Sequence, residues 1–331
     1  MTEFTRRSAL AGAALAATAL GSSSGATPAQ AAAPATGKQA PGFYRYKIGS
    51  HEVTVVTDGA NVMPLPDKFV LNATKDEVNA ALAAAHLETD KLTIPYSPLV
   101  VNTGGKLVVI DTGTGEANFE RTKGVAGQFQ RNLAASGIDR NAIDTVIISH
   151  FHGDHVNGLL TADSKPAFPN AEVLVPQKEW AFWTDDGEMS RAAPGRMQDL
   201  FKNNRRVFDA IGRKVTPYEW DKEVVPGITA FGTPGHTPGH TSYVIASGPS
   251  RVYVQSDVTN VPYLFARNPG WHPAFDQDAT MAEATRRKVY DMLAAEKMPV
   301  QGFHYPFPGL AHVEKDGNGY RTVPAPWNPV I

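Results

Sequence analysis

The sequence predicts an α+β protein in which two groups of mixed strands, each followed by helices, form two β-sheets with helices on the outside. Two observations carry this prediction. Short apolar and β-branched runs separated by turn residues occur before residue 150 and again after residue 226. Helical patterns occupy residues 176–212, between the two strand groups, and the segment that follows Thr280.

The first strand group is predicted to contain two hairpins and a strand buried on both faces, namely Phe43–Ile48 with Glu52–Thr57, Leu99–Asn102 with Leu107–Ile110, and Thr145–Ser149. The capping box Thr74-x-x-Glu77 predicts a helix that runs to about Leu87. A second helix is predicted over Gly124–Ala135, ended by Gly137.

The second half begins with the helical and aromatic segment 176–212. Strands are then predicted at Gly227–Phe231, Ser242–Ala246 and Val252–Val254. The pair Thr280-x-x-Glu283 is a candidate capping box for the last helix, whose apolar residues share one face.

Composition excludes several kinds of function. The 331 residues include no cysteine, which rules out disulfides, thiolate zinc sites and cysteine nucleophiles. Any metal must therefore be held by histidine and carboxylate ligands. The formal net charge of −2 is spread without a basic patch, so no nucleic acid partner is expected.

The N-terminal residues 1–33 have the order of regions found in bacterial export signals: a charged segment with Arg6-Arg7, an apolar run over Ala9–Leu20, and a small-residue region. The paired arginines predict a twin-arginine signal and a periplasmic or secreted protein. The apolar run is too short to cross a membrane, so no stable membrane insertion is expected. Residues 34–42 are predicted to be a linker, followed by one folded domain at 43–331.

Four candidate metal ligands lie within six residues directly after the predicted buried strand, in the run His150-Phe151-His152-Gly153-Asp154-His155. Ligands at alternating positions of a loop can converge on one point, and Asp154 with His155 can face a second point nearby. Gly153 removes a side chain where crowding would be greatest. The sequence therefore predicts a metal site here.

This run resembles the His-x-His-x-Asp-His signature of the metallo-β-lactamase superfamily. Further matches follow in the family's order, at Ile110-Asp111-Thr112-Gly113, Thr233-Pro234-Gly235-His236-Thr237-Pro238-Gly239-His240, Ser256-Asp257 and Phe303-His304. The resemblance, which covers roughly residues 43–325, implies a four-layer αββα sandwich, with two mixed β-sheets flanked by helices and the metals at one edge of the sheets.

The resemblance also implies a role for each matching residue. The first metal would be held by His150, His152 and His236. The second would be held by Asp154, His155 and His304, and Asp257 would bridge both. Asp111 would steady the metal loop, and His240 would be structural rather than a ligand.

A site of imidazoles and carboxylates suits zinc, with manganese, iron or cobalt as alternatives. Two divalent ions could share a hydroxide that attacks the substrate while they polarise its oxygen. Asp257 and Asp154 are the candidate catalytic carboxylates for proton transfer.

Stretches outside the ligand motifs resemble the methyl parathion hydrolase group, among them Asn102-Thr103-Gly104-Gly105-Lys106-Leu107, Ala167-Phe168-Pro169-Asn170-Ala171, Val225-Pro226-Gly227-Ile228, Pro306-Phe307-Pro308-Gly309 and Gly319-Tyr320-Arg321. That resemblance implies a homodimer that hydrolyses phosphotriesters, aryl esters or lactones with an apolar group. Phe119, Trp183 and Phe201 are then expected to line the substrate pocket.

Two alternatives stay open. An N-acyl-homoserine lactonase would share all seven ligands, but many carry a tyrosine three residues after the bridging aspartate, where this chain has Asn260. Tyr263 could take that role in space. The other alternative is a non-catalytic periplasmic metal-binding protein.

Overall fold

Two mixed seven-stranded sheets and a separate two-stranded sheet form the framework of the chain. The computed structural model describes Gly37 and residues 39–331. Its strands, in chain order, are β1 (Phe43–Ile48), β2 (His51–Val56), β3 (Gly59–Pro64), β4 (Lys91–Tyr96), β5 (Leu99–Asn102), β6 (Leu107–Ile110), β7 (Thr145–Ile147), β8 (Glu172–Pro176), β9 (Thr216–Tyr218), β10 (Lys222–Val225), β11 (Ile228–Gly232), β12 (Thr241–Ser247), β13 (Ser250–Ser256), β14 (Val300–Gly302), β15 (Leu310–Asp316) and β16 (Gly319–Pro324).

The helices lie between and after these strands. They are α1 (Lys75–Ala84), α2 (Ala117–Arg121), α3 (Phe129–Ala135), α4 (Gly153–Val156), α5 (Gln177–Thr184), α6 (Asp186–Arg191), α7 (Arg196–Ala210), α8 (Pro262–Phe265) and α9 (Ala279–Glu296), with short 3₁₀ turns at Arg140–Ala142 and Asn157–Leu159. None of the helices in the described residues is long and apolar enough to span a membrane.

The strand order of the first sheet is β1-β2-β5-β6-β7-β8-β9, and that of the second is β10-β11-β12-β13-β14-β15-β16. Strands β6, β7, β8 and β9 run parallel to one another, as do β13 and β14, while the other neighbours are antiparallel. In each set of parallel strands, the carboxyl ends therefore meet at one edge of their sheet.

Alternate residues along the strands bury opposite faces of each sheet, and this places the sheets back to back. The core between them contains, among others, Val53, Val55, Val101, Val108 and Ile147 of the first sheet with Ile228, Tyr243, Ile245, Val252 and Val254 of the second. Helices α3, α5 and α7 cover the outer face of the first sheet, and α9 covers that of the second. The predicted four-layer αββα sandwich is confirmed.

Both predicted hairpins of the first sheet form with the expected pairing, and Thr74 caps α1 through a reciprocal capping box with Glu77. The helix predicted from Gly124 begins later, at Phe129. Gly124 and Gly127 have positive φ values of 83° and 77°, which a helix does not allow. The Asp58 carboxylate instead accepts the Phe129 N–H at 2.9 Å, where α3 starts.

The antiparallel pair of β3 and β4, which α1 connects, was not predicted, because Pro64 and Pro95 interrupt its strand pattern. It packs with α1 and α8 in a separate apolar cluster, which contains Leu82, Leu92, Ile94, Leu264 and Phe265 among others. This cluster forms one side of the cavity described below.

The predicted export signal at 1–33 lies outside the described residues, as do residues 34–36 and Lys38 of the predicted linker. The signal, the periplasmic or secreted location and the homodimer stay predictions. Residues Pro41–Ile331 form one compact unit.

Helix α9 has a different cap from the predicted one. Its N-cap is Asp278, whose Oδ1 accepts the Met281 N–H at 2.9 Å, whereas Thr280 lies exposed inside the first turn. An aspartate caps as well as a threonine does, and it stands where the chain enters the helix from an extended conformation.

We expect Asp278→Ala to lower the free energy of unfolding by about 1 kcal/mol, because the first turn loses its side-chain acceptor. Thr280→Ala, the matched control, should change it by less than about 0.5 kcal/mol. Urea unfolding followed by circular dichroism measures both values. Equal losses in the two variants would contradict the assignment of the cap.

Candidate metal centre

The loop that follows β7 carries four of the candidate ligands. Strand β7 lies between β6 and β8 and is fully buried. After it, the chain passes through His150 and His152 and turns into the short helix α4, which presents Asp154 and His155. A buried parallel strand thus fixes where the loop starts, and α4 fixes its end.

The second sheet contributes Asp257 and His304. These residues follow the parallel neighbours β13 and β14, so both leave the sheet at the same edge. The pairing shifts register between Val254 and Ser256, and Ser256 has a left-handed φ of 52°. This irregularity turns the chain immediately before the predicted bridging carboxylate. His304 Nε2 lies 2.9 Å from Asp257 Oδ2.

His236 lies on the loop between β11 and β12, and two glycines allow this loop to pack closely. Gly235 has a φ of +127°, and a Cβ there would lie 2.3 Å from the Ala282 nitrogen of α9. A Cβ on Gly239 would lie 2.3 Å from the backbone nitrogen of Glu179 in α5. Side chains at either position would push the loop away from the other ligands.

The seven predicted ligands come together as three overlapping groups, each with ligand atoms within 4.8 Å of one another. The groups are His150, His152 and His236; His150, His155 and Asp257; and Asp154, His155 and His304. Asp257 lies between the first and last groups, since its Oδ2 is 3.4 Å from His236 Nε2 and its Oδ1 is 3.3 Å from His155 Nε2. The structure thus assembles every ligand that the sequence predicted.

The arrangement fits metal ions better than it fits hydrogen bonding alone. His150 Nε2 lies 3.1 Å from His152 Nδ1 and 3.2 Å from His236 Nε2. An imidazole nitrogen carries either one N–H or one lone pair, so His150 Nε2 can form a hydrogen bond with only one of these two neighbours. His155 Nε2 and Asp257 Oδ1 are buried without a hydrogen-bond partner in the described residues. A cation would accept these lone pairs.

The pKa shifts differ between the histidines of the two predicted metal positions. Burial, followed by the nearby His155 or His236, holds the pKa values of His150 and His152 well below the usual range, which keeps both neutral as metal ligands must be. Burial also acts to lower the pKa of His155, but Asp257 and Asp111 raise it well above that range. A metal bound by His155 would therefore compete with a proton for the ring nitrogen.

Hydrogen bonds on the outer side of the rings orient three of the histidines. His155 Nδ1 lies 2.8 Å from Asp111 Oδ2, as the predicted steadying role requires, and His304 Nδ1 lies 2.8 Å from the Pro95 carbonyl. His236 Nδ1 lies 2.8 Å from Asp276 Oδ1. If each Nδ1–H donates to its acceptor, each Nε2 keeps its lone pair for the metal.

His240 is buried, but none of the three ligand groups includes it. Its Nε2 accepts the Asp257 N–H at 3.0 Å, and its Nδ1 lies 3.0 Å from the Thr233 carbonyl. Burial, followed by the nearby His236, lowers its pKa to about 3, so it is neutral and fixes the Asp257 backbone. This geometry agrees with a structural role.

Two buried charged groups that the sequence did not reveal also support the site. Arg286 donates to Asp276 Oδ2 at 3.1 Å and to the Val258 carbonyl at 3.2 Å, so it ties the partner of His236 to the residue after Asp257. Glu179 accepts the Phe151 N–H at 3.0 Å and the Gly239 N–H at 2.7 Å. It thereby joins the two loops that carry the histidines. These residues occur in helix segments that have the sequence pattern of solvated faces.

A cavity of about 580 Å³ opens above the centre. Five of the seven candidate ligands line it: His152, Asp154, His236, Asp257 and His304. Its lining mixes apolar and polar side chains: the apolar ones include Met63, Pro66, Phe69, Ile94, Leu200 and Phe275, and the polar ones include Asn61, Thr114, Asn118, Asn157, Arg196 and Asn260.

The predicted substrate-pocket residues do not line this cavity. Trp183 and Phe201 are 1% and 0% exposed, and their rings pack 4.7 Å apart in the core beneath the first sheet, so their assignment to the pocket is wrong. Phe119 packs against the Arg131 guanidinium at 3.9 Å, outside the cavity lining. Aromatic composition alone could not distinguish core from pocket. Phe69 and Phe275 supply the aromatic faces instead.

Tyr263 does not replace the tyrosine that many lactonases carry. Its hydroxyl donates to the Thr93 carbonyl at 3.3 Å, and it does not line the cavity. Asn260 does line the cavity, with its Oδ1 accepting the Val261 N–H at 2.9 Å.

Comparison with known proteins agrees with this geometry. The family model described as the metallo-beta-lactamase superfamily matches residues 94–291. An N-acyl homoserine lactonase from Bacillus sp. is 24% identical over 229 residues, which is 64% of this chain and 80% of that protein.

Two solved structures have similar folds. AidC, a dizinc quorum-quenching lactonase solved with a product, is 25% identical, with a TM-score of 0.79 over 87% of this chain and 98% of that one. The hydrolase AbOPH of the beta lactamase superfamily is 24% identical, with a TM-score of 0.80 over 88% of this chain and 100% of that one. The similarity to AbOPH is evidence for the fold only.

We expect Asp276→Asn to weaken zinc binding at the group His150, His152 and His236 by roughly 10- to 100-fold, since an amide holds the His236 ring less firmly than a carboxylate. Titration against a chromophoric chelator measures the affinity. Glu283→Gln is the matched control, because it removes the same charge from an ion pair with His272. Unchanged affinity in a folded Asp276→Asn protein would contradict the orienting role.

Proposed function

The chain belongs to the metallo-β-lactamase superfamily of metal-dependent hydrolases, and we propose that it hydrolyses the ester bond of lactones that carry an apolar acyl group. The observation that carries this proposal is that five candidate metal ligands line a cavity whose other lining residues are both apolar and polar. Such a cavity suits a substrate with a polar head and a hydrocarbon tail.

The residues fit two divalent ions, most simply zinc. One would be held by His150, His152 and His236, the other by Asp154, His155 and His304, with Asp257 between them. When bound, such ions activate a water molecule and polarise the carbonyl oxygen of the substrate. No side-chain nucleophile is then needed.

The two predicted catalytic carboxylates differ in their access to a substrate. The Asp257 side chain is 4% exposed and enclosed by histidines, whereas that of Asp154 is 24% exposed. Asp154 is therefore better placed to take a proton from the attacking water and pass it to the leaving oxygen. Asp257 serves mainly to hold the centre together.

The cavity walls support an acylated lactone. The apolar lining residues Phe69, Leu200 and Phe275 would bind an acyl chain and gain about 0.8 kcal/mol for each buried methylene. Polar lining residues such as Asn118 would contact an amide or ring oxygen. The relatives named as N-acyl homoserine lactonases favour the same substrate class.

Phosphotriester hydrolysis is the second candidate, as the resemblance to the methyl parathion hydrolase group implies. Phe69 and Phe275 favour it, because their rings lie edge to face at 5.8 Å, and Phe275 lies 5.6 Å from His236. An aryl leaving group could pack against these faces.

A substrate panel tests the proposal. For the zinc-loaded protein, we expect kcat/KM to be highest for N-acyl-homoserine lactones and to rise from a butanoyl to a decanoyl chain, as the chain covers more of the apolar lining residues. It should be lower for a nitrophenyl ester and lowest for methyl parathion. A chelator should abolish all three activities.

A preference for methyl parathion would contradict the lactone proposal and favour the second candidate. If the protein held two metals and hydrolysed none of the substrates, it would instead be a metal-binding protein without turnover.

A further inference from the structure

Two side chains with hydroxyl groups, Thr114 and Tyr96, line the cavity. The Thr114 hydroxyl already donates to Asp58 Oδ2 at 2.7 Å, and the amides of Asn118, Asn157 and Asn260 each accept one hydrogen bond through Oδ1. The Tyr96 hydroxyl makes no hydrogen bond within residues 39–331. A substrate in the cavity would meet a donor that is free to bind it.

Tyr96 is held rigidly beside the metal centre. It ends β4, opposite Gly59 in β3, and its carbonyl accepts the Asp58 N–H at 2.9 Å. Its ring packs edge to face on His304, with centroids 5.6 Å apart, and on Phe303 at 6.2 Å. The preceding residue supplies the carbonyl that orients His304. One strand thus positions both a ligand and this phenol.

We propose that the Tyr96 hydroxyl donates a hydrogen bond to the carbonyl oxygen of the bound lactone or ester, where negative charge develops as water attacks. This inference rests on the proposed function. No proton is transferred from the phenol, and the bond strengthens as the oxygen gains charge. Tyr96 is a catalytic residue in this account because it touches the substrate.

Because strand and ring packing fix the hydroxyl in advance, little reorganisation is needed in the transition state, which is the condition for efficient electrostatic stabilisation.

Tyr96→Phe removes the hydroxyl and keeps the ring that packs on His304. We expect kcat to fall roughly 10²-fold with little change in KM, by the same factor for an N-acyl lactone and a nitrophenyl ester. Metal content and melting temperature should match the wild type. Tyr263→Phe is the matched control, since its hydroxyl bonds to the Thr93 carbonyl outside the cavity, and it should keep wild-type kcat.

Wild-type kcat in Tyr96→Phe would overturn the inference, and so would a loss of bound metal that accounts for the lower rate. If kcat fell for the lactone but not for the nitrophenyl ester, the Tyr96 hydroxyl would act on the leaving oxygen of the lactone. That result would also contradict the inference. If the wild type hydrolyses neither substrate, the proposed function itself fails, which is a different result from an active wild type with an unaffected variant.

Discussion

The structure depends on gathering seven polar side chains, six of them buried, at one edge of two sheets. Imidazoles and carboxylates taken from water cost several kcal/mol each unless they are paired or bind metal. The neighbouring ring nitrogens of His150, His152 and His236 cannot all form hydrogen bonds with one another. Bound cations would offset this desolvation cost, so metal binding should increase the stability of this edge of the sheets.

Neither sheet could build the centre alone. The first supplies the loop after β7, and the second supplies Asp257 and His304. The sheets are joined next to the centre: the hydroxyls of Tyr218 and Tyr243 both donate to the Ile148 carbonyl, and the Thr241 N–H donates to that of Ser149. The buried hydrogen bonds of Glu179 and Arg286 serve the same end, because they fix loops rather than touch a metal.

The two strand groups and four of the candidate ligands could be predicted from local signals: apolar, β-branched runs between turn residues, and the run from His150 to His155. The predictions for His236, Asp257 and His304 rested on resemblance to a known family instead. Glu179, Asp276 and Arg286 leave no such signal, since each acts only after distant segments meet. Trp183 was wrongly predicted to line the pocket. A large aromatic residue suits a pocket or a core equally well, and only the packing of the folded chain shows which of the two it occupies. Tyr96 was not predicted to be a site residue, because Pro95 interrupts the pattern of the strand that ends with it.

Anomalous diffraction from crystals of the zinc-loaded protein tests the central claim most directly. The account predicts two peaks of comparable height, about 3.5–4 Å apart. The Asp257 carboxylate should lie in contact with both, one peak next to His236 and the other next to His304. A single peak, or two peaks with Asp257 bound to neither, would contradict a bridged pair of metals.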